Sequence, residues 1–406
     1  MAQQTIEENL AAGGTIAGTC APGFEAVLQE FRDNFTARGE VGASVCITHH
    51  GQTVVDLWGG LANPKEATQW NRDTISIVFS CTKGAAALCA HMLIERGALG
   101  LHDDVANLWP EFATNGKEGT TAAMMLAHTS PVPHLREPIK IGGYYDFDYM
   151  AERVAAEPAW WEPGTRQGYQ GVTYAWTVGS LVRRAAGKRL GAFFRDEIAN
   201  KLGLDFFIGL PESEEYRAAS MMAPPFSEMN LEARFTKALM QQGSLSNLFM
   251  TNAGEADFNA REMHAAELAS ANGMTNARGL AGLYAPLAGG GGGLLKPETI
   301  ALMSRASACT HMDATLLQPM RFGLGYMLSM DNRAAGADSV IMGETAFGHV
   351  GMGGSLGFAD PAAELSFGYT MNRMGAGILL NERGQSLVDA TYRSLGHTSN
   401  ISGAWK

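Results

Sequence analysis

The 406-residue sequence predicts an α+β protein of two lobes: an antiparallel sheet with flanking helices built from both chain ends, and a mostly helical lobe between them. Three observations carry that prediction. An amphipathic helix and a β-branched hairpin open the chain. Helical signals dominate from Leu101 to Leu210. Short strand-like runs return from Leu324 onward.

In chain order, Phe24, Val27, Leu28, Phe31 and Phe35 recur at helical spacing, with Pro22 ahead and Gly39 behind as boundary signals. VGASVCITHHGQTVVDLWGG then reads as two strands joined at His49-His50-Gly51. Cys81 to Arg96 is apolar on nearly every side and ends at Gly97, which predicts a helix buried all round. Pro131-Val132-Pro133 and Glu162-Pro163-Gly164 break the helical region into pieces. Residues 211–275 read as an irregular, Met-rich excursion. A helix returns at Ala277 to Leu287, and Gly289 to Gly293 form a turn before a helix starting at Pro297. That turn is no phosphate-binding loop, because Leu294-Leu295-Lys296 stands where Gly-Lys-Ser/Thr is required. Strands are expected at Leu324 to Met330, Thr345 to Val350, Gly354 to Ala359 and Leu365 to Met371, with Ser386 to Leu395 as the closing helix. The division that follows places 1–98 and 276–406 in the sheet lobe, 99–210 in the helical lobe, and 211–275 in an excursion able to cover an active site.

Composition narrows the function. An apolar share of 46% with 17% charged residues is that of a folded chain. A net charge of −11 argues against a nucleic-acid partner, which demands clustered Lys and Arg. No apolar run is long enough to span a bilayer, and the start lacks the basic and apolar blocks of a secretory signal, so a cytoplasmic protein is expected. Cys20, Cys46, Cys81, Cys89 and Cys309 include no Cys-x-x-Cys, and the histidines include no His-Glu-x-x-His. Neither a metal nor another cofactor is expected.

Ser80-Cys81-Thr82-Lys83 is the pattern that carries chemistry. Ser80 ends an extended run (Thr74 to Phe79) and heads the all-apolar helix. Positions three apart share a helix face, so the Lys83 amine can reach the Ser80 hydroxyl. A lysine at the positive end of a buried helix is disfavoured in its charged form by desolvation and by the helix dipole. Its pKa falls, which is what a proton acceptor for serine requires. Backbone N–H groups at the same helix start can face an oxyanion. A second piece, Pro163-Gly164-Thr165-Arg166-Gln167-Gly168-Tyr169-Gln170-Gly171, marks a loop from which Tyr169 projects. Its phenol, eased toward ionisation by a neighbouring ammonium, could act as a base toward Ser80 or a water. The third piece is Phe347-Gly348-His349-Val350-Gly351-Met352-Gly353-Gly354, whose glycines permit close approach by a ligand or another backbone. There His349 is expected at a pocket rim, Gly351 and Gly353 at the substrate, and the Met352 N–H as a second oxyanion donor. Gly353-Gly354-Ser355-Leu356-Gly357 also fits the G-x-S-x-G elbow, but no helix follows Ser355 and only His397 lies downstream, so Ser355 reads as a strand or turn residue.

SCTK, PGTRQGY and GHVGMGG occur in the order seen in serine β-lactamase-like proteins of the class C type, and the chain most resembles the family VIII carboxylesterases. VGASVCITHHGQTVVDLWGG, MMLAHTS, SANGMTNARGLAGLYAPLA and LLKPETIALM share the resemblance, which runs from about Gly23 to Leu395. It implies a serine β-lactamase/penicillin-binding-protein-like fold. It also implies Ser80 as nucleophile, Lys83 and Tyr169 as the proton-transfer pair, and the N–H groups of Ser80 and Met352 as oxyanion hole. The chain departs from the β-lactamases at two places. Gly171 stands where Tyr-x-Asn has its amide, and His349-Val350-Gly351 stands where Lys-Thr-Gly holds a substrate carboxylate. A neutral ester needs neither. The expected activity is hydrolysis of short-chain, fairly apolar carboxylic esters through an acyl-enzyme. The alternatives are a β-lactamase, a D-amino-acid peptidase or an acyltransferase, and, outside the enzymes, a binding module that has lost turnover. The expected partner is a small-molecule ester, and oligomeric state is not read from the sequence.

Overall fold

The two halves of the chain meet where Leu365–Met371 pairs antiparallel with Gly42–His49, Phe367 opposite Ile47 and Gly368 opposite Cys46. The structure is a computed structural model and describes residues 3–406. Around that pair grows an antiparallel sheet of eleven strands. On one side lie Gln52–Asn63, Thr15–Cys20 and Gln4–Asn9, with Thr68–Gln69 on the edge of Gln52–Asn63. On the other lie Leu356–Asp360, Phe347–Val350, Met327–Leu328, Met320–Phe322 and Ala308–Thr310.

Side chains alternate across a strand, and that alternation decides which helix covers which face. Gly357 and Gly368 point at the helix Ala277–Ala288, and a Cβ on Gly368 would lie 2.2 Å from the Ala277 carbonyl oxygen. Glycine there lets the helix backbone approach closely. Their strand neighbours Phe358, Phe367 and Tyr369 point the other way. Phe358 stacks on Tyr392 of the closing helix Glu382–Ser394, which packs with the first helix Glu25–Ala37. A buried ion pair, Arg383 Nη1 to Glu40 Oε1 at 2.6 Å, joins those helices to the sheet, and the Tyr369 hydroxyl donates to the same carboxylate. Beyond the sheet, the helix Thr82–Glu95 is buried from Thr82 to Leu93 and packs against Tyr174–Ala186.

Several sequence expectations change. The hairpin of Gln4–Asn9 and Thr15–Cys20 was not foreseen, because Glu7 and Glu8 on an exposed edge hide its alternation. The run Leu324 to Met330 shrinks to Met327–Leu328: Gly325 has φ +92° and the Leu324 N–H bonds Met303 O instead of a neighbouring strand. Between residues 101 and 146 the chain forms one short α-helix, Ala122–Leu126, and 3₁₀ turns rather than long helices. Residues 211–275 are irregular but carry the short helices Arg234–Leu239, Leu245–Thr251 and Arg261–Ala265. Among the described residues no helix is long and apolar enough to cross a membrane.

Candidate active site

Ser80 owes its position to a bend that no local pattern announces. The strand Ser76–Ile77 pairs with Met274–Thr275, and the Val78 N–H donates to Gly273 O. Phe79 then takes φ +44°, a left-handed conformation rare for a bulky side chain, and turns the chain into the 3₁₀ turn Phe79–Cys81 and the helix behind it. The Thr82 hydroxyl holds the bend, donating to Phe79 O at 2.6 Å and accepting from the Gly273 N–H at 2.8 Å. Ser355 braces the same turn: its hydroxyl, fully buried, donates to Val78 O at 3.0 Å. Ser80 remains half-buried, open on one side.

Lys83 is fully buried one turn further on. Its Nζ lies 3.0 Å from Ser80 Oγ, 2.7 Å from Gly171 O and 2.9 Å from Ser270 O. Burial pulls its pKa well below that of a free lysine. A neutral amine has two N–H bonds and one lone pair. The two carbonyls can only accept, so they take the two hydrogens and the lone pair is left facing the Ser80 hydroxyl.

Tyr169 is also buried, its ring centroid 4.9 Å from Lys83 Nζ and its phenol on the side of Ser80. The expected ease of ionisation is not found. Burial lifts the phenol far above its ordinary pKa, and this outweighs any help from the amine beside it. Tyr169 is therefore a protonated phenol, able to relay a proton rather than to start as an anionic base.

The backbone of its loop is clamped at three successive N–H groups. Gly168 N donates to His128 O at 3.0 Å, Tyr169 N to Asp313 Oδ2 at 2.9 Å, and Gln170 N to His128 Nδ1 at 3.2 Å. Asp313, fully buried, also accepts from Thr315 N and Leu316 N at 2.8 Å each. Neither His128 nor Asp313 was read as a site residue. Asp-x-Thr is legible only as a local turn, and nothing in the sequence places it against Tyr169. Burial outweighs the three donors and pushes the Asp313 carboxyl up to about 6. The folded protein thus takes up this proton as pH falls through about 6, well before a free aspartate would. Asp313→Asn puts an amide NH₂ against the Tyr169 N–H. It is expected to lower kcat on the order of 10–100-fold through displacement of the phenol, with KM nearly unchanged. Steady-state kinetics and a melting curve on the same preparation check this.

His349 does not lie at a rim. It is fully buried, its ring centroid 6.2 Å from Tyr169 and 6.3 Å from Phe322, with Nδ1 bonded to Val350 O. Burial, the dominant cause, lowers its pKa to about 3, so it stays neutral. The close approach allowed by Gly351 and Gly353 is made by protein. A Cβ on Gly351 would lie 2.1 Å from Ser355 Oγ and 2.2 Å from Val78 O, and one on Gly353 would lie 2.8 Å from Met374 Cβ. Met352, half-buried between them, keeps an N–H that no protein acceptor takes. The Ser80 N–H sits in the first turn, where helix donors lack intrahelical partners.

A cavity of about 680 Å³ adjoins this arrangement. Met229, Met250, Phe258, Leu316, Met352 and Met374 line it. Phe258 stands edge-on to Phe79 at 4.9 Å, next to the serine turn. The methionines of the excursion divide: Met229 and Met250 face the cavity, Met221 is core, and Met240 is 87% exposed. Among the described residues no cluster of His, Cys, Asp or Glu could hold a metal ion.

The Beta-lactamase family matches residues 24–388. Esterase/beta-lactamase LipL of Mycobacterium tuberculosis is 30% identical over 385 residues, covering 91% of this chain and 86% of that protein. The crystal structure of a family VIII carboxylesterase superposes with a TM-score of 0.82 at 35% identity, covering 93% of this chain and 99% of that one. A penicillin-binding protein homologue from Caulobacter crescentus gives 0.82 at 33% identity, with the same coverage. With its sheet, flanking helices and near-complete match, the chain belongs to the Beta-lactamase family.

Proposed function

We propose that Ser80 is the nucleophile through which this carboxylic ester hydrolase forms an acyl-enzyme on small, fairly apolar esters. The observation that carries the reading is the buried Lys83 amine 3.0 Å from the Ser80 hydroxyl, with two carbonyls placed to take its hydrogens. As Ser80 Oγ attacks the ester carbonyl, its proton passes to Lys83 Nζ and the carbonyl becomes an oxyanion. The N–H groups of Ser80 and Met352 stabilise that oxyanion. The Tyr169 phenol gives its proton to the departing alkoxide and regains one from Lys83, so the alcohol leaves neutral and the pair is reset. Water repeats the sequence on the acyl-enzyme and releases the acid.

His349 touches Tyr169 rather than substrate in this reading, and as a neutral ring it presents no cation to a substrate carboxylate. That favours neutral esters over the anionic β-lactams and peptides that proteins of this fold also process. Esterase/beta-lactamase LipL carries both activities in its name, so lactam hydrolysis is the competing reading. Incubation with a p-nitrophenyl alkylphosphonate followed by peptide mass mapping tests the nucleophile. The expected adduct is on the peptide containing Ser80, with loss of activity in step. An adduct on Ser355, or full activity with Ser80 labelled, overturns the reading.

A further inference from the structure

The 680 Å³ cavity is far larger than a small ester needs, and its wall is built largely by the excursion and by residues 311–319. Met352 and Phe258, which stand beside the serine turn, belong to the cavity's lining, while Ser80, Tyr169 and Gly171 do not. On the Gly171 side the space is already filled: a Cβ there would lie 1.9 Å from Phe249 Cε2. The Phe249 ring stands edge-on to Tyr169 at 6.4 Å and touches Phe235, itself a cavity residue. The helix Leu245–Thr251 that carries Phe249 is pinned by the Ser246 hydroxyl donating to Thr315 O at 2.6 Å. The Gly171 side of the serine is thus filled by an aromatic ring, while Met352 on another side borders an apolar chamber. The same excursion leaves Phe226, Leu231 and Met240 more than half exposed, so apolar surface continues outward from the chamber.

We propose that this cavity is a binding pocket for one bulky apolar arm of the ester, an arylalkyl or long alkyl group, and that the other arm is small. The proposal rests on Ser80 being the nucleophile and revises the small ester of that reading to one that is small on a single side. Each methylene buried in such a pocket raises kcat/KM by about fourfold. Ethyl 4-phenylbutanoate and 4-phenylbutyl acetate are isomers that put the same bulk on the acyl or the alcohol side, and ethyl butanoate is the small reference. One of the two isomers is expected to exceed ethyl butanoate in kcat/KM by about tenfold or more, mainly through KM. Ala233→Trp and Thr236→Trp both place an indole in the chamber from the half-exposed excursion. Each is expected to erase that preference while leaving the melting temperature unchanged. Equal kcat/KM for all three esters, a preference that survives both Trp variants, or an equal loss on all three esters in both variants overturns the proposal. Failure of the nucleophile reading looks different, because Ser80→Ala would then still turn over ethyl butanoate.

Discussion

Ser80→Ala is expected to lower kcat on an activated short-chain ester on the order of 10⁴–10⁶-fold, with KM almost unmoved. In the proposed mechanism the Ser80 oxygen forms the bond to the acyl group, and Lys83 Nζ lies 3.0 Å from it. Removing it leaves an oxyanion hole and a base with nothing to activate in the first step. The fold should tolerate the change, since Ser80 is half-buried and the bend at Phe79 is held by Thr82 and Ser355 instead. A burst of released alcohol equal to the enzyme concentration, present in the wild type and absent in the variant, separates this from a binding defect. Retention of more than a tenth of the wild-type rate contradicts the role of Ser80.

Lys83→Met is expected to lower kcat on the order of 10²–10⁴-fold, the range lost with a positioned base. Methionine has nearly the same reach but offers no basic lone pair. Lys83→Arg should be no better: its guanidinium stays protonated, so restoring the cation does not restore the base. A merely electrostatic role for Lys83 would instead be rescued by arginine. The pH profile supplies an independent check. Because burial lowers the Lys83 pKa, the amine is the free base above that lowered value and an ammonium below it. The wild-type kcat/KM should therefore rise with pH on the acid side and level off, and the residual activity of Lys83→Met should lack that limb.

The linear pattern carried a great deal of this. The helix at Phe24, the hairpin about His50-Gly51 and the run Leu365 to Met371 were legible because each repeats its apolar residues at its own period. The buried helix and the Ser-x-x-Lys pair were legible for a related reason. An isolated lysine in an otherwise apolar helix is costly unless something uses it. What stayed hidden was whatever depends on two distant segments meeting. Asp313 lies 144 residues from the Tyr169 it clamps, Ser270 lies 187 from the Lys83 it bonds, and Phe249 fills a space defined by a missing side chain at Gly171. None of these has a signal at short range.

The protonation states show the division most clearly. From the residue types alone, an ammonium beside a phenol suggests an easily ionised tyrosine, and a glycine-dense strand suggests a histidine at a pocket rim. Burial reverses both: it raises the Tyr169 phenol and encloses a neutral His349. Residue order by itself determined which groups could do chemistry and roughly which elements carry them. Only the folded chain decided which of those groups are buried, which carbonyls flank the Lys83 amine, and what fills the space beside Gly171, since each depends on packing around atoms far apart in sequence.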